Sequence, residues 1–291
     1  MWREQNKHIY FLFTLPALLL YAIFYIYPVM KGFQYSLTDW NGISPDFNWI
    51  GLHNYLEILG DKRFMHSLIF TLKYTGFLVF FVLVISLLIA LLLNSKLKFN
   101  TFFRSIFFFP AVLSLITVGL IWNQVFYSVL PEIGRALGID ALSKNILGSS
   151  NGAMIGILIA NVWQGIAIPA VIFLAGLQSI PKDMYEAATM DGANAWDKFK
   201  NITFPFLVPM FTVNLVLVMK SGLTVFDYIK AMTDGGPGYA TESIGLLIYQ
   251  HGFTELKFGY GAAEAIVLFI LFVLIAVVQI NFLNRKGVGQ Q

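Results

Sequence analysis

Cysteine is absent from the 291 residues. That excludes disulfides, thiolate metal centres and cysteine nucleophiles. Charge is nearly as scarce. Nineteen Lys+Arg and sixteen Asp+Glu make 12% of the chain, against about 25% in soluble domains. A water-facing surface needs more than that. The net charge of +3, with no basic cluster interleaved with aromatics, excludes a nucleic-acid binder. No G-x-x-x-x-G-K-S/T phosphate loop occurs, so ATP binding by that route is excluded. The four histidines, His8, His53, His66 and His251, lack a metal-binding spacing such as H-x-x-x-H. No catalytic residue, metal site or cofactor is expected.

What is present is apolar: 57% of residues are hydrophobic and the mean hydropathy is +0.71. Six charge-free runs of 19 residues or more occur, at 8–30, 74–95, 105–131, 145–181, 201–219 and 265–284. About 20 apolar residues span the hydrocarbon core as a helix. Six transmembrane helices are predicted, at 9–30, 72–93, 106–127, 153–177, 204–226 and 262–283. Segments such as 77–85 are apolar on every side, which excludes the alternation of a barrel strand. The first run lacks a small-x-small cleavage site and reads as a retained helix, not a signal peptide. The expectation is an all-α polytopic membrane protein forming one transmembrane domain over 1–291.

With the N-terminus inside, the inner segments carry ten Lys/Arg in 53 residues: Arg3, Lys7, Lys96, Lys98, Arg104, Lys182, Lys198, Lys200, Arg285 and Lys286. The outer segments, 31–67, 128–150 and 227–261, carry seven in 95. Basic residues concentrate on the cytoplasmic side, so both termini are expected there. Trp2, Trp40, Trp49 and Trp122 fall near the predicted interfaces, whereas Trp163 falls well inside the fourth helix.

Seven of the 35 charged residues lie in segment 178–203, between helices four and five. It reads as two short cytoplasmic helices. Pro181 suits a first turn, Asp183 and Glu186 stand three apart as in a capping box, and Gly192 is a helix stop. Asn194 and Asp197 repeat the capping spacing, and Pro205 opens helix five. A slim helix carrying Ala187 and Ala188 presents a docking knob. Taken from spacing alone, a mere connection between two spans is the competing reading.

Glu186-Ala187-Ala188, Gly192 six residues after the Glu, and Ile202-Thr-Phe-Pro205 resemble the signature of permease subunits of binding-protein-dependent ABC importers. The one departure is Phe204, where the pattern usually has Leu. Ser36-Leu-Thr-Asp-Trp40 and Gly51-Leu-His-Asn-Tyr55 resemble the first outer loop of carbohydrate importers of the maltose-permease type. Phe103-Arg-Ser-Ile-Phe-Phe-Phe-Pro110 is similar to the start of their third helix. Phe226 to Pro237, then Thr241-Glu242, is similar to their last outer loop. The resemblance implies a multi-pass cell-membrane subunit that does no chemistry itself. Its expected partners are a second permease (as a heterodimer), two cytoplasmic ATPases docking on the E-A-A loops, and an extracytoplasmic solute-binding protein. Glu186, Ala187, Ala188, Asp191 and Gly192 become the expected coupling residues.

Polar residues inside spans call for a partner or a role. Helix four carries Asn161, Trp163, Gln164 and Gly165. A ring face beside amides, with room left by glycine, suits a sugar. Packing between helices is the other reading of the same residues. In helix five, Ser221, Gly222 and Thr224 fall where the resemblance places the substrate path. Lys220 either pairs with Asp227 or snorkels. Trp122, Asn123 and Gln124 read as an interface belt. Glu264 is expected at the start of helix six, favoured by the helix dipole. The expected function is import of a sugar, an oligosaccharide above all. Import of another solute such as glycerol phosphate, or ATP-independent secondary transport, stays open.

Overall fold

The computed structural model describes residues 7–95 and 100–284. Trp2 and the basic residues Arg3, Lys96, Lys98, Arg285 and Lys286 lie outside the described residues, as does the side chain of Lys7. Among the described residues the regular structure is helical, joined by turns and loops, with one isolated bridge between Thr38 and Trp49. The helices are α1 (Lys7–Tyr21), α2 (Tyr27–Ser36), α3 (His53–Gly60), α4 (Lys62–Asn94), α5 (Asn100–Phe108), α6 (Leu115–Gln124), α7 (Leu130–Leu137), α8 (Ser150–Gly165), α9 (Ala167–Gln178), α10 (Lys182–Met190), α11 (Ala195–Lys198), α12 (Phe204–Leu223), α13 (Asp227–Met232), α14 (Ile244–Tyr249) and α15 (Phe258–Asn284).

Four unbroken helical runs are long and apolar enough to cross a membrane: Phe11–Ser36, Lys62–Asn94, Ala195–Leu223 and Phe258–Gln279. The third and fourth expected spans are not straight. Phe102–Val112 and Leu115–Leu137 meet at 101°, and Ser150–Gly165 and Ala167–Gln178 meet at 43°. Pro110 and Pro169 stand at these breaks. Proline removes one N–H and clashes with the preceding turn.

Prolines also explain three π turns. Ala22–Ile26, Val125–Val129 and Phe199–Thr203 are each followed, two residues later, by Pro28, Pro131 or Pro205. The residue before the proline donates one carbonyl further back, from Tyr27 to Ala22, Leu130 to Val125 and Phe204 to Phe199. The helix widens locally and continues. Pro205 stands in the first turn of α12, as expected, but does not interrupt the helical run that leads into it. The run from Ala195 to Leu223 is continuous.

The chain divides into two compact units. One comprises residues 7–62 and 247–270. Its centre is aromatic: Trp40 packs on Tyr35 at 4.1 Å and on Phe258 at 5.0 Å between ring centroids. The Trp40 indole N–H donates to the Ser44 carbonyl at 2.7 Å. The two motifs of the first outer segment bond to each other. Asn54 donates to the carbonyls of Ser36 and Thr38, each at 2.9 Å, and Tyr55 meets Ser36 at 2.7 Å. Asn48 bonds to Asp39 through side chain and backbone, and this holds the Asp39 carboxyl below its ordinary range. Gly259 lies directly against the carbonyls of Thr38 and Tyr35, where a Cβ would collide.

The other unit comprises residues 63–246 and 271–284. Its spine is α4, which begins ten residues before the expected span, its first turn carrying the charged Lys62 and Arg63. Its buried stripe runs Phe64, Ser67, Thr71, Tyr74, Leu78, Val82, Ser86, Ala90 and Leu93. Small and hydroxylated residues at helical spacing let neighbouring backbones approach closely. Segment 227–246, expected on the outer side, packs into the core of this unit. Tyr228, Ile229, Met232, Thr241, Glu242, Ser243 and Ile244 are all buried. Helix α13 packs on α6 so closely that a Cβ on Gly119 would meet Ala231 at 2.7 Å. Thr71 accepts from the Ile244 N–H at 3.0 Å.

Glu242 is fully buried, and its two oxygens accept from Nε and Nη2 of Arg63 at 2.9 and 2.8 Å. Ser67 adds a 3.3 Å bond. Arg63 also lies over the Tyr239 ring at 4.7 Å. Arg63→Ala is expected to destabilise the protein by about 3–5 kcal/mol, the usual result of breaking one side of a buried pair. Arg63→Met combined with Glu242→Met is expected to recover part of that. Thermal unfolding of the three proteins in detergent measures both effects.

Candidate functional site

The segment between the fourth and fifth spans forms the expected knob. Pro181 is the residue before α10. No Asp183–Glu186 capping box forms, because Pro181, not Asp183, stands at the N-cap position. The C-terminus follows the sequence closely. Gly192 has φ +78°, Ala193 N–H reaches the Ala188 carbonyl at 2.9 Å and Gly192 N–H reaches Thr189 at 3.1 Å. This is the Schellman ending that glycine permits. The second capping box is present: Asn194 accepts from Trp196 and Asp197 N–H, and the Asp197 carboxylate accepts from Asn194 N–H.

The knob has two faces. Tyr185 and Ala188 pack onto an apolar cluster of Ala90, Leu93, Phe173, Leu174, Leu177 and Leu207. Glu186, Ala187, Asp191 and Gly192 are exposed beside Met190, which is 88% exposed. Two bonds tie the knob to the helix that follows: Tyr185 to Thr203 at 2.8 Å, and Lys198 to Thr189 at 2.9 Å. Four of the five expected coupling residues thus face outward on a braced helix.

The expected pathway residues of α8 separate into two groups. Asn161 and Gln164 are buried and bonded within the protein. Asn161 donates to the Tyr74 hydroxyl at 2.8 Å. Gln164 donates to the Leu113 carbonyl at 2.8 Å and accepts from the Tyr228 hydroxyl at 2.6 Å. Leu113 lies in the break between Val112 and Leu115, so Gln164 supplies a donor where the helix has stopped supplying one. Gly165 is half-buried. Trp163 is on the other side, 39% exposed, edge-on to Trp122 at 5.9 Å.

The α12 residues divide likewise. Ser221 and Thr224 are exposed, while Gly222 is buried where a Cβ would meet Thr75 at 2.7 Å. Lys220 is exposed and forms no ion pair with Asp227 among the described residues. Asn123 is not part of a simple interface belt; it donates to the Met232 carbonyl at 2.7 Å. Glu264 is the seventh residue of α15, not its start, and accepts from His251 Nδ1 at 2.9 Å while fully buried. Its partner is therefore a side chain and not the helix dipole. Sequence reasoning missed Tyr74, Tyr228 and the Arg63–Glu242 pair, whose partners lie 87, 64 and 179 residues away.

Among the described residues, a mainly helical fold with several helices long and apolar enough to cross a membrane, two of them as bent pairs, is that of a multi-pass membrane protein. Residues 62–287 match the family described as binding-protein-dependent transport system inner membrane component, and the chain belongs to that family. A multiple sugar-binding transport system permease protein, MsmF of Streptococcus mutans, is 42% identical over 97% of both chains. A starch degradation products transport system permease protein, AmyD of Thermoanaerobacterium thermosulfurigenes, is 35% identical over 98% of this chain and 97% of that one. The trehalose/maltose transport system permease protein MalF of Thermococcus litoralis is 35% identical over 93% and 92%. In fold, a chain of a bacterial ABC transporter involved in import of alginate superposes with a TM-score of 0.84 over 98% of both chains, at 23% identity.

Gln164→Leu is expected to leave the Leu113 carbonyl and the Tyr228 hydroxyl without a partner, at about 1–3 kcal/mol for each buried group. Thermal unfolding in detergent without solute reads this directly. An unchanged midpoint would remove the structural role assigned to the amide.

Proposed function

We propose that the chain is the permease subunit of an ATP-driven ABC importer for sugars, with oligosaccharides as the substrate class. The permeases of multiple sugars, starch degradation products, trehalose/maltose and arabinooligosaccharides among its relatives support that class. The observation that carries the mechanism is the exposed face of α10, ended by Gly192 and braced through Tyr185 and Lys198.

In this reading both termini and the knob are cytoplasmic, and residues 1–291 form one permease domain of the cell membrane. The chain pairs with a second permease as a heterodimer. Two ATPases dock, one on each knob, and an extracytoplasmic binding protein delivers the sugar. Glu186, Ala187, Ala188, Asp191 and Gly192 form the docking face. The slim Ala187–Ala188 surface lets a cleft close over the helix, and the bond from Tyr185 passes its displacement to the base of α12. The chain itself performs no bond chemistry.

For the pathway, Trp163, Ser221 and Thr224 present side chains outward and are the proposed contacts for the sugar. Asn161, Gln164, Gly165 and Gly222 shape the wall behind them. An exposed indole offers a face for an apolar sugar ring, and the hydroxyls offer donors and acceptors.

Gly192→Pro is incompatible with φ +78°, since proline holds φ near −65°. Both Gly192→Pro and Glu186→Lys are expected to leave the chain in the membrane while uptake ceases to follow ATP hydrolysis. Normal uptake by both variants in vesicles would overturn the docking role. Trp163→Ala is expected to lower sugar uptake with assembly of the complex intact, as judged by co-purification of the ATPase and the second permease.

A further inference from the structure

The first unit holds a cluster that neither the docking face nor the pathway uses. Asp61, His251 and Glu264 each offer a ligand atom, and these atoms all lie within 4.8 Å of one another. They come from three places: the residue between α3 and α4, the π turn Gln250–Thr254, and the second turn of α15. His251 is 4% exposed and Glu264 is fully buried. A cavity of about 300 Å³ reaches Asp61 and His251, and its wall includes His53, Glu57, Lys257 and Tyr260. We propose that Asp61, His251 and Glu264 bind a divalent transition-metal ion, with Zn²⁺ the first candidate.

Burial is the first argument. A carboxylate inside a spanning helix is expensive, and Glu264 is fully buried in the second turn of α15. A divalent cation at this cluster stabilises the charged form of its carboxylates.

Geometry is the second argument. Zinc bonds to N and O ligands of about 2.0–2.2 Å place two tetrahedral donors about 3.3 Å apart. The His251–Glu264 separation is 2.9 Å and the widest in the trio is under 4.8 Å, so small side-chain shifts complete the set. One imidazole and two carboxylates suit borderline Zn²⁺ first and oxygen-favouring Mn²⁺ second, while the imidazole disfavours Ca²⁺, which takes oxygen ligands. Tyr260 donates to Asp61 Oδ2 at 3.0 Å, the kind of bond that orients a metal-bound carboxylate. The cavity provides an entry path and room for water at the remaining positions.

The local backbone has the same focus. The π turn at His251 has no proline behind it, unlike the other three, and Leu256 just beyond it has φ +55°. The turn places His251 beside Glu264, and bound metal fastens the residue between α3 and α4 to the second turn of α15.

The test uses the full chain, purified with the subunits that accompany it, stripped with EDTA and titrated separately with Zn²⁺ and Mn²⁺. Elemental analysis is expected to give stoichiometric uptake of either ion, with a rise in unfolding temperature. Tyr260→Phe is expected to weaken binding about 10–100-fold, as outer contacts do, and Asp61→Asn or His251→Gln to weaken it further. No retained metal and no thermal shift would overturn the site, and so would unchanged affinity in Asp61→Asn. If the variants misfold, spin-echo spectra of Mn²⁺ on the unaltered chain decide. Nitrogen coupling from imidazole is expected, and its absence refutes the assignment.

Discussion

Within a membrane every buried backbone carbonyl needs a donor from the protein itself, because water is not there to supply one. A straight helix meets this demand internally. This chain breaks its helices, and at the breaks amide side chains take over. Gln164 donates to Leu113 inside the 101° bend. Asn214 donates to Pro169 beside the 43° bend. Asn123 donates to Met232 at the end of α13, and Asn54 donates to Ser36 and Thr38 at the end of α2. Four amides thus hold the irregular backbone that gives the fold its shape. An amide engaged in this way cannot also serve freely as a sugar contact. The same chemistry that made Gln164 a pathway candidate in the sequence makes it a strut in the structure.

The prolines at π turns have a mechanical consequence. A helix broken at Pro205 would make α11 a separate element hinged on α12. The π turn Phe199–Thr203 instead carries the helix through, so Ala195–Leu223 is one rod. Tyr185 bonds to Thr203 on that turn, and Lys198 bonds back to Thr189 on α10. The knob therefore rests on the base of a spanning helix through two side-chain bonds and an apolar face. In the proposed docking role, these contacts are the route by which a displacement of α10 reaches the base of α12.

The spans were legible because charge is excluded from them, and the knob was legible because Gly192, Asn194 and Asp197 have local meanings that survive tertiary context. The bends were signalled by Pro110 and Pro169, yet a hydropathy run passes over them without a change in sign. The burial of 227–246 was hidden for a different reason. Asp227, Lys230, Asp234 and Glu242 give that segment the composition of a loop, and the long-range contacts that bury it, among them Glu242 with Arg63 and Tyr228 with Gln164, leave no local signal. The early start of α4 was obscured in the same way, since Arg63 counts as a surface residue until its partner is known. The convergence of Asp61, His251 and Glu264 left no spacing pattern, because Asp61 is separated from the other two by most of the chain.

A chain with so few charges makes each buried one informative. Glu242 and Glu264 are both fully buried, and both are bonded across long stretches of sequence or across a change of helix direction. Apolar residues would fill the same space at lower desolvation cost. They would not specify position, because one apolar contact substitutes for another with little penalty. A bidentate Arg63–Glu242 pair admits a single register of α4 against the segment before α14. The Glu264–His251 bond likewise admits a single placement of the π turn on α15. Together with the buried amides and hydroxyls, these two carboxylates supply the discrimination that hydrophobic burial lacks.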